Sequence, residues 1–290
     1  MKKFLIMIPV YNDWDSLLKL LDEINNAVKD IKGIEFHCIV VNDASSNKAP
    51  AIKVPINIKT LKIINMRFNK GHARCNAFGV KYLSKNNDFD HLICMDGDGE
   101  DRPEEIKLLV EKAIYDSNTS VVAKRIKRSE GIFFQSLYQI HKILTIIFTG
   151  KNINFGNYSC LTKRDVEILS KENSLWSSFS GSVKKHISKL NSVNSVRGLR
   201  YFGPSKMSLL KLIIHSLSII AVFKREVFIR SVIFIIVISY IGVYTGISFV
   251  FFQFVIVVFN LLIFIVSLRE NKKDFLECEK NKLSTTSLTP

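Results

Sequence analysis

From Ser231 to Leu268 the chain runs for 38 residues without a charged side chain, and this stretch restricts the architecture more than any other. A single helix of that length would reach ~57 Å at ~1.5 Å per residue, well beyond a hydrocarbon core of ~30 Å. The stretch therefore divides, with Gly246-Ile247-Ser248 as the natural turn. Two helices result, Phe228 to Thr245 and Phe249 to Leu268, each close to the ~20 residues that a bilayer crossing needs. Lys224, Arg225 and Arg230 precede the hairpin and Arg269, Lys272 and Lys273 follow it, so the positive-inside bias places both flanks in the cytoplasm. Burying such a hairpin in a soluble protein would require a core larger than the rest of the chain can cover.

The basic residues outnumber the acidic ones, 41 against 26, for a formal net charge of +15. Lys and Arg beside a membrane anchor attract anionic headgroups, and they also bind phosphate-bearing ligands. Nucleic-acid binding would require basic residues interleaved with exposed aromatics, or a reading motif. The sequence has neither, and no nucleic-acid partner is expected. Cys38, Cys75, Cys94, Cys160 and Cys278 are scattered and form no C-x-x-C pair, which argues against a disulfide framework or a zinc site and for a reducing, cytosolic setting. The apolar run Phe4 to Val10 near the N-terminus lacks a small-residue cleavage site and reads as a first buried strand.

Between residues 3 and 125, short runs rich in Ile and Val ("KFLIMIP", "FHCIVVND", "LKIINMR", "HLICMD", "SVVAKR") alternate with stretches of helical period ("WDSLLKLLDEINNAV", "GHARCNAFGVKYL", "PEEIKLLVEKAI"). Apolar runs too short for helices, separated by amphipathic ones, indicate an α/β domain with a mostly parallel sheet. Ligands of such sheets bind beyond the carboxyl ends of the strands. The polar groups expected there are Pro9 to Asp13, Asn42 to Ser46, Asn69 to His72, Asp96 to Asp98, and Arg125 to Arg128.

Asp96 and Asp98 follow the fourth apolar run two residues apart, so in extended geometry both carboxylates project from one face. Two carboxylates aimed at one point repel unless a cation lies between them. Hard ions such as Mg²⁺ or Mn²⁺ take one or two protein carboxylates together with phosphate oxygens, and Glu100 is a third candidate ligand. Asp101 and Glu104 have capping-box spacing, with Pro103 in the first turn and Glu105 near the positive end of the helix dipole. A calcium loop counted from Asp96 fails, because its sixth and twelfth positions are Asp101 and Lys107.

"IPVYND", "VVNDASSN", "NKGHARCNAFG", "MDGDGEDRPEE", "RIKRSEG" and "RYFGPSKMSL" follow one another in an order and spacing that resembles the family 2 glycosyltransferases of the GT-A fold. Within them the likeness is to dolichyl- or undecaprenyl-phosphate sugar synthases, which carry a catalytic domain followed by membrane helices. It extends from about Phe4 to Leu268. The resemblance implies that Pro9, Tyr11 and Asp13 hold the nucleotide, with Asp43 at the base or ribose and Lys70 and Gly71 in the adjoining motif. It implies Asp96 and Asp98 as the D-x-D pair on metal and donor diphosphate, Arg125 and Arg128 as the basic pair acting with Asp98 in catalysis, and Arg200, Ser205 and Lys206 on the acceptor phosphate. The sequence departs from the family at Asn157, where relatives carry an acidic candidate base, and at Asn42, which precedes Asp43 in place of an aspartate. A Q-x-x-R-W motif of processive synthases is missing; Trp176 lies in "NSLWSSFSG".

The function implied is an inverting, Mg²⁺- or Mn²⁺-dependent transfer of one sugar from a nucleotide diphosphate sugar to a polyprenyl phosphate, at the cytoplasmic leaflet of the plasma membrane. The alternatives are a glycolipid or saccharide acceptor with the same donor chemistry, and a catalytically inactive scaffold. The expected organisation is a catalytic domain over residues 1–206, an interfacial helix over 207–227, the hairpin over 228–268 and a poorly ordered cytoplasmic tail over 269–290. Residues 132–148 form a second apolar-faced segment that reads as interfacial, with packing in the core as the alternative. A two-span anchor in the bilayer is compatible with a homo-oligomer. Among the histidines, His72 alone lies in a matched motif, and it reads as a polar loop residue.

Overall fold

The computed structural model describes residues 1–86, 88–127, 132–204 and 208–289. Eight strands form one sheet in the order β7-β5-β6-β4-β1-β2-β3-β8. They are β1 (Lys2–Val10), β2 (Ile34–Asn42), β3 (Thr60–Met66), β4 (His91–Cys94), β5 (Ser120–Lys127), β6 (Phe155–Thr162), β7 (Leu190–Val196) and β8 (Lys282–Leu288). The central strands β4-β1-β2-β3 are parallel, as are β5 and β7, whereas β6 and β8 run against their neighbours.

The alternation of side chains along β1 explains why its run is apolar throughout. Leu5 and Met7 enter one core and Phe4, Ile6, Ile8 and Val10 the other, on opposite faces of the sheet. The second core is closed by α1 (Trp14–Val28) and α3 (Ile106–Tyr115), the first by α2 (His72–Asn86), α5 (Lys163–Leu169) and α6 (Phe179–His186). Leu17, Leu20, Leu21, Ile24 and Val28 recur at helical spacing along α1 and are all buried, each contributing ~1.5–3 kcal/mol of transfer free energy. The five cysteines are free and buried, in keeping with the absence of a disulfide pattern.

Beyond the sheet, α4 (Ile132–Thr149) and α7 (Leu209–Ala221) pack at the base of a hairpin formed by α8 (Lys224–Thr245) and α9 (Val250–Ser267). Phe148, Ile220, Ala221, Val227 and Ile263 make that joint. Gly246 ends α8 with φ of 71°, a left-handed cap that a side chain would strain, so the turn falls where the sequence places it. Both hairpin helices are long and apolar enough to cross a membrane. Only 11% and 17% of their most apolar stretches are buried, which is the reverse of a core hairpin. On α4, Ile140, Ile143 and Ile147 form an exposed stripe, and α7 exposes Leu209, Leu210 and Ile213.

Between residues 272 and 288, a stretch that its polarity alone reads as a poorly ordered tail, the chain takes up regular structure. It forms α10 (Lys272–Leu276), a 3-10 turn (Cys278–Asn281) and β8, which pairs antiparallel with β3. Phe275 and Cys278 enter the core beside Trp176. As an edge strand, β8 needs backbone partners on one side only, and its Ser and Thr side chains stay exposed, so no apolar alternation marks it.

Candidate active site

Around the acidic turn after β4, direct contacts link Asp13, His72, Asp96, Asp98, Asn157 and Arg200. The Asp96 N–H donates to Asp101 Oδ2 at 2.9 Å, closing residues 96–101 into a loop. Asp101 is buried, with Arg125 Nη2 at 3.7 Å from its other oxygen. The expected capping box is therefore not formed: Arg102 precedes the 3-10 turn Pro103–Glu105 without a side-chain cap, and Asp101 turns inward instead. Glu105 is also buried and accepts from the Val196 N–H at 2.9 Å, tying the turn to β7.

Asp96 and Asp98 have different surroundings. Asp96 Oδ1 accepts from Asn157 Nδ2 at 3.1 Å and lies 3.2 Å from His72 Nε2, which in turn is 2.7 Å from the Asn157 amide. Burial alone would raise the Asp96 pKa, but His72, Asn157 and Arg125 reverse this and hold it well below the usual carboxylate range. His72 is raised to about 9, because the charges of Asp96, Asp98 and Asp101 outweigh the desolvation that lowers it. Asp98 is pushed up to about 6 by burial and by the charges of Asp96 and Glu100. His72 opens α2 beside Asp96 and is not a bland loop residue; its place in the third motif was the only signal. Asn157 reaches the acidic turn from β6, where a carboxylate would repel Asp96.

Residues 197–202 cross over the acidic turn. The Gly198 N–H donates to Glu100 O at 2.8 Å and the Tyr201 N–H to Asp98 O at 3.0 Å. The Tyr201 ring rests on Gly99, where a Cβ would come within 2.5 Å of it. This crossing brings Arg200 between two carboxylates: Nη1 lies 2.7 Å from Asp98 Oδ2, and Nη2 pairs with Asp13. Asp13 also accepts from Ser16 Oγ at 2.7 Å. Arg197 pairs with Glu100. Arg200, expected on the acceptor phosphate, and Glu100, expected on a metal, are thus engaged with each other's neighbours. Among the described residues no group of three or more His, Cys, Asp or Glu is arranged to hold a metal ion.

Just beyond β2, Asp43 accepts from the Lys70 and Gly71 N–H groups, both at 2.8 Å. Burial raises its pKa, and those two amides draw it back down. Asn42, at the departure from the family pattern, donates to Asn65 Oδ1 at 2.8 Å and accepts from the Ser45 N–H at 3.0 Å. Pro9 is buried and its carbonyl backs the acidic turn at Gly97, while Tyr11 is exposed. Arg128, Ser205 and Lys206 lie outside the described residues.

The α/β sheet carries the D-x-D turn, an opposing arginine and a buried aspartate at its strand ends. The model for "Glycosyl transferase family 2" matches residues 5–174, more than half of the chain, and the protein belongs to that family. Among curated relatives, the undecaprenyl-phosphate 4-deoxy-4-formamido-L-arabinose transferase of Photorhabdus laumondii is 29% identical over 164 residues, covering 56% of this chain and 48% of the relative. The enzyme of the same description from Salmonella typhimurium is 30% identical over 166 residues, with the same shares. The match thus spans about half the length of these relatives. Among solved structures, glucosyl-3-phosphoglycerate synthase from Mycobacterium tuberculosis, in complex with Mn²⁺, UDP-glucose and phosphoglyceric acid, superposes with a TM-score of 0.52 over 78% of this chain and 80% of its own. At 13% identity that likeness is one of fold.

Proposed function

We propose that the protein is an inverting, metal-dependent glycosyltransferase that moves a single sugar from a nucleotide diphosphate sugar to a polyprenyl phosphate at the cytoplasmic face of the plasma membrane. The observation that carries this reading is the convergence of Asp13, Asp96, Asp98 and Arg200 at strand ends, in a domain mounted on an apolar hairpin. The names of the curated relatives support the acceptor class.

The residues present fit a hard divalent ion. Asp98 is raised to about 6 by burial first and then by the charges of Asp96 and Glu100, a carboxylate repulsion that a bound cation relieves, and Mg²⁺ or Mn²⁺ beside a diphosphate needs only one or two protein ligands. Asp98 would hold the ion, with Asp96 alongside and Glu100 available once Arg197 lets go. Such an ion neutralises charge on a departing diphosphate. Asp43, with Lys70 and Gly71 behind it, binds the nucleoside, and Tyr11 and Pro9 border it. Arg200 exchanges its carboxylates for phosphate oxygens when substrate enters; Arg125 lies close enough to the turn to assist, and the resemblance assigns Arg128, Ser205 and Lys206 to the same phosphate work. A fixed guanidinium stabilises charge that grows toward the transition state. The acceptor phosphate is already ionised near neutral pH, so Asn157 in place of an acid leaves the nucleophile competent. The exposed stripes of α4 and α7 rest on the bilayer, where a polyprenyl chain presents its phosphate.

Purified protein supplied with a panel of radiolabelled nucleotide sugars, undecaprenyl phosphate and Mn²⁺ or Mg²⁺ should give one acid-labile glycolipid carrying a single sugar. Label entering only a saccharide or glycolipid would replace the acceptor, and absence of any turnover or nucleotide binding would leave a scaffold.

A further inference from the structure

At Asn281 the segment that follows the hairpin passes against the same loop that holds Asp43. Asn281, 8% exposed, grips Phe68 from both sides: its Oδ1 accepts from the Phe68 N–H and its Nδ2 donates to Phe68 O, each at 3.0 Å. Its own carbonyl accepts from the Arg67 N–H at 2.7 Å. One side chain and one carbonyl thus set the backbone of residues 67–68, two residues before the amides of Lys70 and Gly71 that hold the Asp43 carboxylate. A second line of bonds runs from β8 across the strand ends. Ser284 Oγ accepts from Asn65 Nδ2 at 3.0 Å, Asn65 Oδ1 accepts from Asn42, and Asn42 accepts from the Ser45 N–H. Ser45 Oγ then accepts from the Asn12 N–H at 2.9 Å, beside Tyr11.

The far end of the segment is fixed as firmly. Lys81, buried in α2, donates to the carbonyls of Phe275 and Leu276 at 2.7 and 3.1 Å, and its ammonium lies 4.4 Å from the centroid of the Phe275 ring. Lys85 pairs with Glu279 at 2.6 Å. Asn271 caps α10 by accepting from the Asp274 N–H, four residues after the last residue of α9.

We infer that residues 271–288 are a strap that runs from the membrane hairpin to the donor site, and that Asn281 is a positioning residue for nucleoside binding. It acts through the 67–71 backbone and Asp43 rather than by touching the ligand. The inference rests on the donor reading above. It assigns a role to a part of the chain beyond residues 5–174, the span of the family match. The ordering cost of loop 67–71 is met on folding, so the nucleoside enters a formed edge.

The test uses the full chain in lipid nanodiscs, with UDP, GDP and CDP in the presence of Mn²⁺ as probes. Asn281→Ala should weaken binding of whichever nucleotide the wild type takes, and raise the donor KM, by about tenfold, the order expected when two hydrogen bonds of ordinary net worth are lost. The kcat at saturating donor should stay within about twofold, since Arg200 and the acidic turn are untouched. Asn281→Asp keeps the acceptor for the Phe68 N–H but turns a carboxylate oxygen toward Phe68 O, so it should also weaken binding and serves where the alanine variant does not fold. Asn191→Ala, which removes a comparable bond to Asp116 at the opposite edge strand, should leave nucleotide affinity unchanged. Wild-type affinity in folded Asn281→Ala or Asn281→Asp, or equal loss in Asn191→Ala, overturns the strap. Failure of the wild type itself to bind any of the three nucleotides overturns the donor reading instead.

Discussion

The strand ends around the site form two edges held by different forces. At β1, β2 and β3 the contacts are hydrogen bonds donated by amide N–H groups: Asn12 N–H to the Ser45 hydroxyl, Ser45 N–H to the Asn42 side chain, Asn42 to Asn65, and the Lys70 and Gly71 N–H groups to the Asp43 carboxylate. Past β4 they are ion pairs: Arg200 with Asp13 and Asp98, Arg197 with Glu100, Arg125 with Asp101. Most of these bonds start from a backbone N–H whose direction the chain fixes, so the first edge is preformed. Ion pairs can be exchanged for a metal ion or a diphosphate at little net cost, because both states satisfy the same charges. On the proposed function, one edge recognises the nucleoside and the other changes partners during turnover.

The largest effect that would break this division is at Asp98. Asp98→Asn removes the charge that the second edge is built around, and sugar transfer should fall by ~10³-fold or more, measured as labelled lipid per enzyme, while the melting temperature stays near that of the wild type. Full activity in the variant would mean that the acidic turn is structural.

Arg200 provides a sharper test, because the two-edge view gives it opposite signs in two assays. Arg200→Ala should lower transfer by ~10²-fold, as for loss of a fixed donor to developing charge. The same change frees Asp13 and Asp98, so affinity for Mn²⁺ without nucleotide should rise, read by calorimetric titration. Arg200→Lys should recover only part of the transfer, since an ammonium cannot bridge the two carboxylates as a planar fork does. Unchanged or weaker Mn²⁺ binding in Arg200→Ala would show that the guanidinium does not stand in the cation's place.

The preformed edge was harder to read in the sequence than the charged one, for a physical reason. Asp96, Asp98 and the arginines announce themselves because clustered charge in a chain has few structural uses, and the apolar runs of β1 to β5 announce the sheet because both its faces are covered. Asn42 reads as a weakened aspartate until Asn65 and Ser45 are seen on either side of it. Asn281 and Ser284 lie in a polar stretch that looks disordered, since an edge strand carries no alternation. Asp101 departs from its sequence pattern for the opposite reason: the spacing to Glu104 fits a helix start, but burial and the Asp96 N–H claim the side chain. Pairings that depend on residues 85 or more positions apart, such as His72 with Asn157, leave no local mark.

Asp101 also supplies the smallest and most specific test of the charged edge, as a dependence on pH. Burial is the main cause that pushes its pKa up to about 7, with the Asp96 charge adding to it and Arg125 and the Asp96 N–H opposing it. An unfolded aspartate titrates near ~3.9. A carboxylate whose folded pKa is raised adds stability below the unfolded value and loses it as pH climbs through the folded one. Asp101→Asn keeps an acceptor for the Asp96 N–H and does not titrate. Its melting temperature relative to wild type, in metal-free buffer, should therefore rise by about a few degrees between pH 5 and pH 8. A difference that stays flat across that range would mean that Arg125, 3.7 Å away, keeps Asp101 ionised throughout, and the edge would then be a settled salt bridge rather than one waiting for another cation.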